Sequence, residues 1–114
     1  MDFSVVLYEV MPNGEYFYLS YILGRASYAK DMSVRTLLRP GKLESVSFDR
    51  TKLVSRRLSK GSRLLVIING NKNPLAQINY GTGKDVSDES IADAKIPLKI
   101  KWFNDSYVQI PIWK

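Results

Sequence analysis

The chain of 114 residues contains no cysteine and no histidine. Without cysteine there is no disulfide, no thiolate metal site and no cysteine nucleophile, though the compartment is left open. The missing histidine excludes more: the usual general base of serine and cysteine hydrolases and the commonest zinc ligand are both gone. A self-contained enzyme is therefore a poor fit. Long apolar runs are also lacking, since the longest, Leu64 to Ile68, falls far short of the roughly 20 residues that cross a bilayer. The opening Met1-Asp2-Phe3 lacks a basic start, and the residues after it alternate instead of forming a continuous apolar stretch, so no secretory leader is expected.

What is present suits one folded domain spanning 1–114, with 45% hydrophobic and 25% charged residues. Net charge is +6, from 17 Lys and Arg against 11 Asp and Glu. Such a balance can serve an anionic partner or simply solvate strand faces and loops. The second reading is preferred, because the densest basic cluster, Arg50, Lys52, Arg56, Arg57, Lys60 and Arg63, is interleaved with Leu53, Val54 and Leu58. No nucleic-acid motif appears, so neither nucleic acid nor a membrane is expected as partner.

The stretch 61–69, G-S-R-L-L-V-I-I-N, carries five large aliphatics between two turn signals and reads as a central strand covered on both faces. The first strand, from Phe3 to Met11, is apolar on both faces: Phe3, Val5, Leu7 and Met11 on one, Ser4, Val6, Tyr8 and Val10 on the other. A second layer or another domain is expected over its outer side. Pro12-Asn13-Gly14 supplies a tight turn with positive φ at Asn-Gly. An aromatic return strand follows over 15–21, with Tyr16, Phe17, Tyr18 and Tyr21. Gly24 interrupts a short strand over 22–28 with a bulge or bend.

Further along, residues 29–40 read as a connecting loop, and Pro40-Gly41 turns into an alternating strand over 43–49 with Val46 and Phe48 inside. Residues 51–58 fit either a strand or an irregular crossover. The loop over 69–93 is dense in glycine and asparagine. Its Gly81, Gly83 and Lys84 do not have the spacing of a phosphate loop, and Asp85, Asp88, Glu89 and Asp93 do not have that of a calcium-binding EF-hand. A short charged helix capped by Ser87, within a long ordered loop that makes contacts, is the simpler account. A second hairpin closes the chain: Leu98, Ile100 and Trp102 alternate with lysines, Asn104-Asp105 turns, and Val108, Ile110 and Ile112 return facing inward, with Pro111 at an edge or bulge. Seven or eight short strands and no long helix predict an antiparallel β-sandwich.

These residues carry a resemblance. The opening D-F-S-V-V-L-Y-E-V-M-P-N-G from Asp2 to Gly14, then Gly24-Arg25-Ala26-Ser27-Tyr28, resembles the carboxy-terminal module of the X-Pro dipeptidyl-peptidase and cocaine esterase family of serine hydrolases. Similar blocks follow in the same order: Pro40-Gly41 before Val46-Ser47-Phe48, then Lys60-Gly61-Ser62-Arg63-Leu64, then Pro74 through Asn79 to Gly81-Thr82-Gly83, and finally Val108-Gln109-Ile110-Pro111-Ile112.

The resemblance implies an all-β jelly-roll sandwich of the galactose-binding-domain-like type, incomplete on its N-terminal side. It also implies a parent whose α/β-hydrolase domain carries a nucleophilic serine in G-x-S-x-G with an Asp and a His. No G-x-S-x-G occurs in this chain, so no catalytic, cofactor or metal residue is assigned to it. The expected role is a non-catalytic accessory domain that packs on the catalytic α/β-hydrolase domain and shapes its substrate entrance. Asn73, Pro74, Asn79, Tyr80, Gly81 and Gly83 are the candidate domain contacts. An unpaired sheet edge offers a route to a homo-oligomer. A carbohydrate-binding module, suggested by Tyr16, Tyr18 and Trp102, is the alternative.

Overall fold

A computed structural model describes residues 1–49, 51–95 and 97–113; of the basic cluster, Arg50 lies outside these. Among them are three strands, β1 (Asp2–Val10), β2 (Tyr16–Arg25) and β3 (Arg63–Gly70), forming one antiparallel sheet in the order β2-β1-β3. The remaining regular structure is three single 3₁₀ turns, at Ala26–Tyr28, Val86–Asp88 and Ile91–Asp93. The chain is thus strand-built with almost no helix, as its alternating pattern predicts.

The central position belongs to β1 and not to β3. Its neighbours pair along both sides, whereas β3 pairs with β1 alone and leaves Leu64 and Ile68 each 40% exposed. A run of five aliphatics does not distinguish a strand buried in mid-sheet from one at the edge whose side chains lean on a single neighbour.

The β1–β2 hairpin turns through a three-residue loop, Pro12-Asn13-Gly14. Its Gly14 N–H donates to the Met11 carbonyl at 2.9 Å and Met11 N–H to the Glu15 carbonyl at 2.8 Å. Only Gly14 takes positive φ, at 87°; Asn13 stays in ordinary space and accepts the Glu15 N–H on its side-chain oxygen at 3.1 Å. Pro12 fits the first corner of such a turn and glycine the left-handed residue that ends it.

A bulge lies in β2, at Leu19, where the register steps from Leu7↔Ser20 to Tyr8↔Tyr18. Gly24 neither bulges nor interrupts; β2 runs through it to Arg25, and the chain then enters the Ala26–Tyr28 turn. Gly24 exists for close approach instead. A Cβ there would meet the Phe48 ring at 2.0 Å, and Gly24 and Gly70 flank Phe3 on its two sides in the register. Phe3 thus has no cross-strand side chain beside it. Phe48 and Trp102 fill the gap, with ring centroids 6.4 and 5.5 Å from that of Phe3.

The segments that supply those rings are extended but join no ladder. Residues 43–49 alternate as the sequence predicts, with Glu44, Val46 and Phe48 half-buried and Leu43, Ser45, Ser47 and Asp49 exposed. The predicted turn at Asn104-Asp105 also forms, with Ser106 N–H on the Phe103 carbonyl at 3.1 Å. Neither 98–102 nor 107–113 becomes a strand, however, and residues 51–60 are exposed and irregular. Of Val108, Ile110 and Ile112, only Ile110 is half-buried. With both ladders of β1 filled, the aromatic segments lay side chains on one face of the sheet, and Pro97 and Pro111 can donate to no ladder. Among the described residues three strands are therefore paired, where seven or eight strands are expected.

Candidate functional site

Strand parity divides the sheet into two faces of different character. On the first lie Phe3, Val5, Leu7 and Glu9 of β1 with Phe17, Ile22 and Gly24 of β2 and Leu64, Val66 and Ile68 of β3. Phe48, Trp102 and Arg56 cover parts of it, the Arg56 guanidinium sitting 3.8 Å from the centre of the Phe17 ring. On the second lie Ser4, Val6, Tyr8 and Val10 with Tyr16, Tyr18, Tyr21 and Leu23 and with Leu65 and Ile67. Here Tyr8 meets Tyr16 and Tyr18 edge-to-face at 6.2 and 5.9 Å. Tyr16, Tyr18 and Leu23 are 64%, 52% and 41% exposed.

The apolar core is correspondingly small: among the described residues only Phe3, Ala26 and Val86 are buried hydrophobics. The accessible surface is 9609 Å², against about 6,300 Å² for a compact protein of this mass. The radius of gyration is 16.4 Å, against about 13 Å for a compact chain of this length. The excess of surface exceeds what one partner contributes to a standard interface, about 800 Å².

Glu9 is the chief polar group of the first face, and sequence reasoning missed it. Its carboxylate is wholly buried and accepts from Ser62 Oγ at 2.6 Å, Ser59 N–H at 2.9 Å and Arg56 Nε at 2.9 Å. Hydrogen bonds from the Ser62 hydroxyl and the Ser59 N–H, with Arg56 beside them, outweigh burial and lower its pKa from 4.5 to about 2. The signal available was a lone carboxylate in a strand otherwise free of charge after Asp2.

At the other end of β1, buried Asp2 holds Arg25 Nε at 3.2 Å and Asn79 Nδ2 at 2.7 Å. Asn79 in turn accepts the Gly81 N–H at 2.9 Å. Glu89 folds back on the same loop, accepting the Tyr80 N–H at 2.8 Å and the Thr82 N–H at 2.9 Å. Burial pushes the Glu89 carboxyl up, but the Thr82 hydroxyl and N–H with the Tyr80 N–H outweigh it and hold it below its usual range. Arg35 closes the loop by donating to the carbonyls of Gly83, at 2.8 Å, and Lys84, and by pairing with Asp85 at 3.1 Å.

The structure thus brings Asn79, Tyr80, Gly81 and Gly83 together on one braced loop. Asn73 and Pro74 sit apart, in an exposed turn after β3 where Asn73 Oδ1 accepts the Leu75 N–H at 3.0 Å. The residues that brace the loop, Asp2, Arg35 and Glu89, are distant in sequence from most of what they hold, so no local pattern gives them away. The acidic residues weighed for calcium are drawn to separate partners: Asp85 to Arg35, Glu89 to the loop amides, and Asp93 to Lys84 at 2.9 Å and Ser90 N–H at 2.9 Å. The turn at Ile91–Asp93 is capped from Ser90, and Val86–Asp88 has no side-chain cap, so Ser87 does not play the predicted part.

What this arrangement offers chemically is a surface. Among the described residues no three Asp or Glu side chains converge as metal ligands, and no helix is long and apolar enough to cross a membrane. No family model, curated protein or solved structure matches the chain.

Proposed function

We propose that this chain is a non-catalytic accessory domain that packs the open face of its sheet against the catalytic α/β-hydrolase domain of a serine hydrolase of the X-Pro dipeptidyl-peptidase and cocaine esterase type. The observation that carries the packing role is the second sheet face. Tyr16, Tyr18 and Leu23 stand exposed there beside Tyr8, Val6, Leu65 and Ile67, on a strand set whose other face has Phe48 and Trp102 over Phe3 and Arg56 over Phe17. Exposed apolar and aromatic side chains grouped on one sheet face are what a docking surface presents. The hydrolase assignment rests on the ordered blocks of resemblance, and with it goes a jelly-roll sandwich whose missing layer the catalytic domain supplies or completes. The braced loop from Asn79 to Gly83 borders the Asp2 end of the open face, which supports assigning to it the shaping of a substrate entrance; Asn73 and Pro74 are further candidate contacts.

The decisive experiment reads the coding sequence on both sides of the chain and then tests the interface. A G-x-S-x-G segment upstream in the same frame, with Leu23→Asp and Tyr18→Asp releasing the chain from the separately expressed catalytic domain, is the expected result. An open reading frame without hydrolase sequence ends the proposal.

A second reading, carbohydrate binding, draws on the exposure of Tyr16, Tyr18 and Trp102, since aromatic faces open to solvent can stack on sugar rings. A glycan array settles it: binding lost in Tyr16→Ala and Tyr18→Ala supports sugar recognition, and an empty array removes it.

A further inference from the structure

Among the described residues nothing is paired to the outer edge of β3. Asn71 N–H donates to the Asp2 carbonyl at 2.8 Å, which fixes the bonded pairs of the β1–β3 ladder as Ser4·Asn69, Val6·Ile67 and Tyr8·Leu65. By that alternation Leu64, Val66 and Ile68 turn their N–H and C=O groups away from β1. Among the described residues no backbone or side-chain hydrogen bond reaches them from that side.

Natural sheet edges are blunted with lysine, proline, bulges or a covering segment. From Leu64 to Asn69 this edge has no charge, no proline and no register shift. The β2 edge differs, because the bulge at Leu19 breaks its line.

We propose that β3 pairs with β3 of a second copy of this chain, antiparallel about a two-fold axis at Val66, making a continuous six-stranded sheet. The run is self-complementary in that register. Leu64 stands opposite Ile68 of the second copy, Val66 opposite Val66, Leu65 opposite Ile67, and Arg63 opposite Asn69, so no like charges face each other. All three outward-pointing residues meet outward-pointing residues, and each unsatisfied backbone group gains a partner. A register one residue away would put outward groups against groups already committed to β1. The edge and the face are separate surfaces, so this pairing holds or fails independently of the docking proposed above.

Two measurements test it. In sedimentation velocity the unmodified chain is expected to form dimers as concentration rises. In hydrogen exchange the amides of Leu64, Val66 and Ile68 gain protection in step with dimer, while those of Leu65 and Ile67 are protected throughout. The second measurement is a charge swap. Leu64→Lys/Ile68→Lys sets like charges opposite one another and is expected to be monomeric. Leu64→Lys/Ile68→Glu sets Lys against Glu of the second copy and is expected to restore the dimer. Both doubles carry the same change at Leu64, the cross-strand neighbour of Glu9, and differ only at Ile68, which faces Val5 within the chain and lies about 14 Å from Leu64, so they differ chiefly across the interface. Far-UV circular dichroism checks that both remain folded, and the exchange experiment stands even where a variant does not fold. A chain that stays monomeric with rapid exchange at Leu64, Val66 and Ile68 overturns the proposal. So do two doubles that associate equally, and so does a monomer whose edge is protected only by an added extended peptide.

Discussion

Gly24 offers a test in which the sign of a single methyl group's effect depends on one aromatic ring. In an ordinary strand, replacing glycine by alanine stabilises by about 0.5–1 kcal/mol, because the glycine backbone loses more freedom on folding. Gly24 has no positive φ, so its backbone accepts alanine without strain. Its Cβ, however, would stand 2.0 Å from Cε1 and 2.2 Å from Cδ1 of Phe48. The ring must move off Phe3, and such overpacking costs about 1–3 kcal/mol. The expected net loss for Gly24→Ala is therefore about 1 kcal/mol, or roughly 4 °C in Tm for a chain of this size.

Phe48→Ala alone is expected to cost about 2 kcal/mol, near half the loss for a fully buried phenylalanine, because Phe48 is half-buried. In that background the obstacle is gone, and Gly24→Ala should now stabilise by about 0.5–1 kcal/mol. The coupling between the positions is then about 1–3 kcal/mol. Urea unfolding of the four proteins, compared at equal m-value, measures it. A Gly24→Ala change that stabilises equally in both backgrounds would refute the close approach of Phe48 and, with it, the account of why Phe3 sits between two glycines.

Other expectations follow from the polar groups. Glu9 has its pKa lowered from 4.5 to about 2, so its contribution is fully present above pH 4.5 and is lost as pH falls through about 2; urea midpoints of Glu9→Gln should lie below those of the unmodified chain at neutral pH and converge with them in acid. Glu89→Gln should leave the sheet intact and raise amide exchange at Tyr80 and Thr82 by about five- to tenfold, the worth of one hydrogen bond near 1 kcal/mol. Limited trypsin digestion should cut after Lys52 and Arg57, in the wholly exposed stretch 51–60, before it cuts after Arg56, which Glu9 and Phe17 hold.

The first hairpin was legible because every local cue agrees: alternation along β1, Pro-Asn-Gly at the turn and an aromatic return strand. The position of the edge was not legible, because which strand has two neighbours is a property of the sheet and not of any window within it. Residues 43–49 show the same limit from the other direction, since their alternation correctly places Phe48 inward while saying nothing of whether the backbone finds a ladder. The loop from Asn79 to Gly83 was visible through its glycines. Its fastening to Asp2, 77 positions before Asn79, was not.

The extra residue at Leu19 has a consequence for how such a surface can arise or vanish. Tyr16 and Tyr18 are even-numbered and Tyr21 and Leu23 odd, so strict alternation would send the two pairs to opposite sides of the strand. One inserted residue resets the parity midway and gathers all four on the open side. Deleting Leu19 would leave the four together on a strand of unbroken alternation, whereas drawing Leu19 into the ladder would turn Tyr16 and Tyr18 over toward the side where Glu9 lies buried.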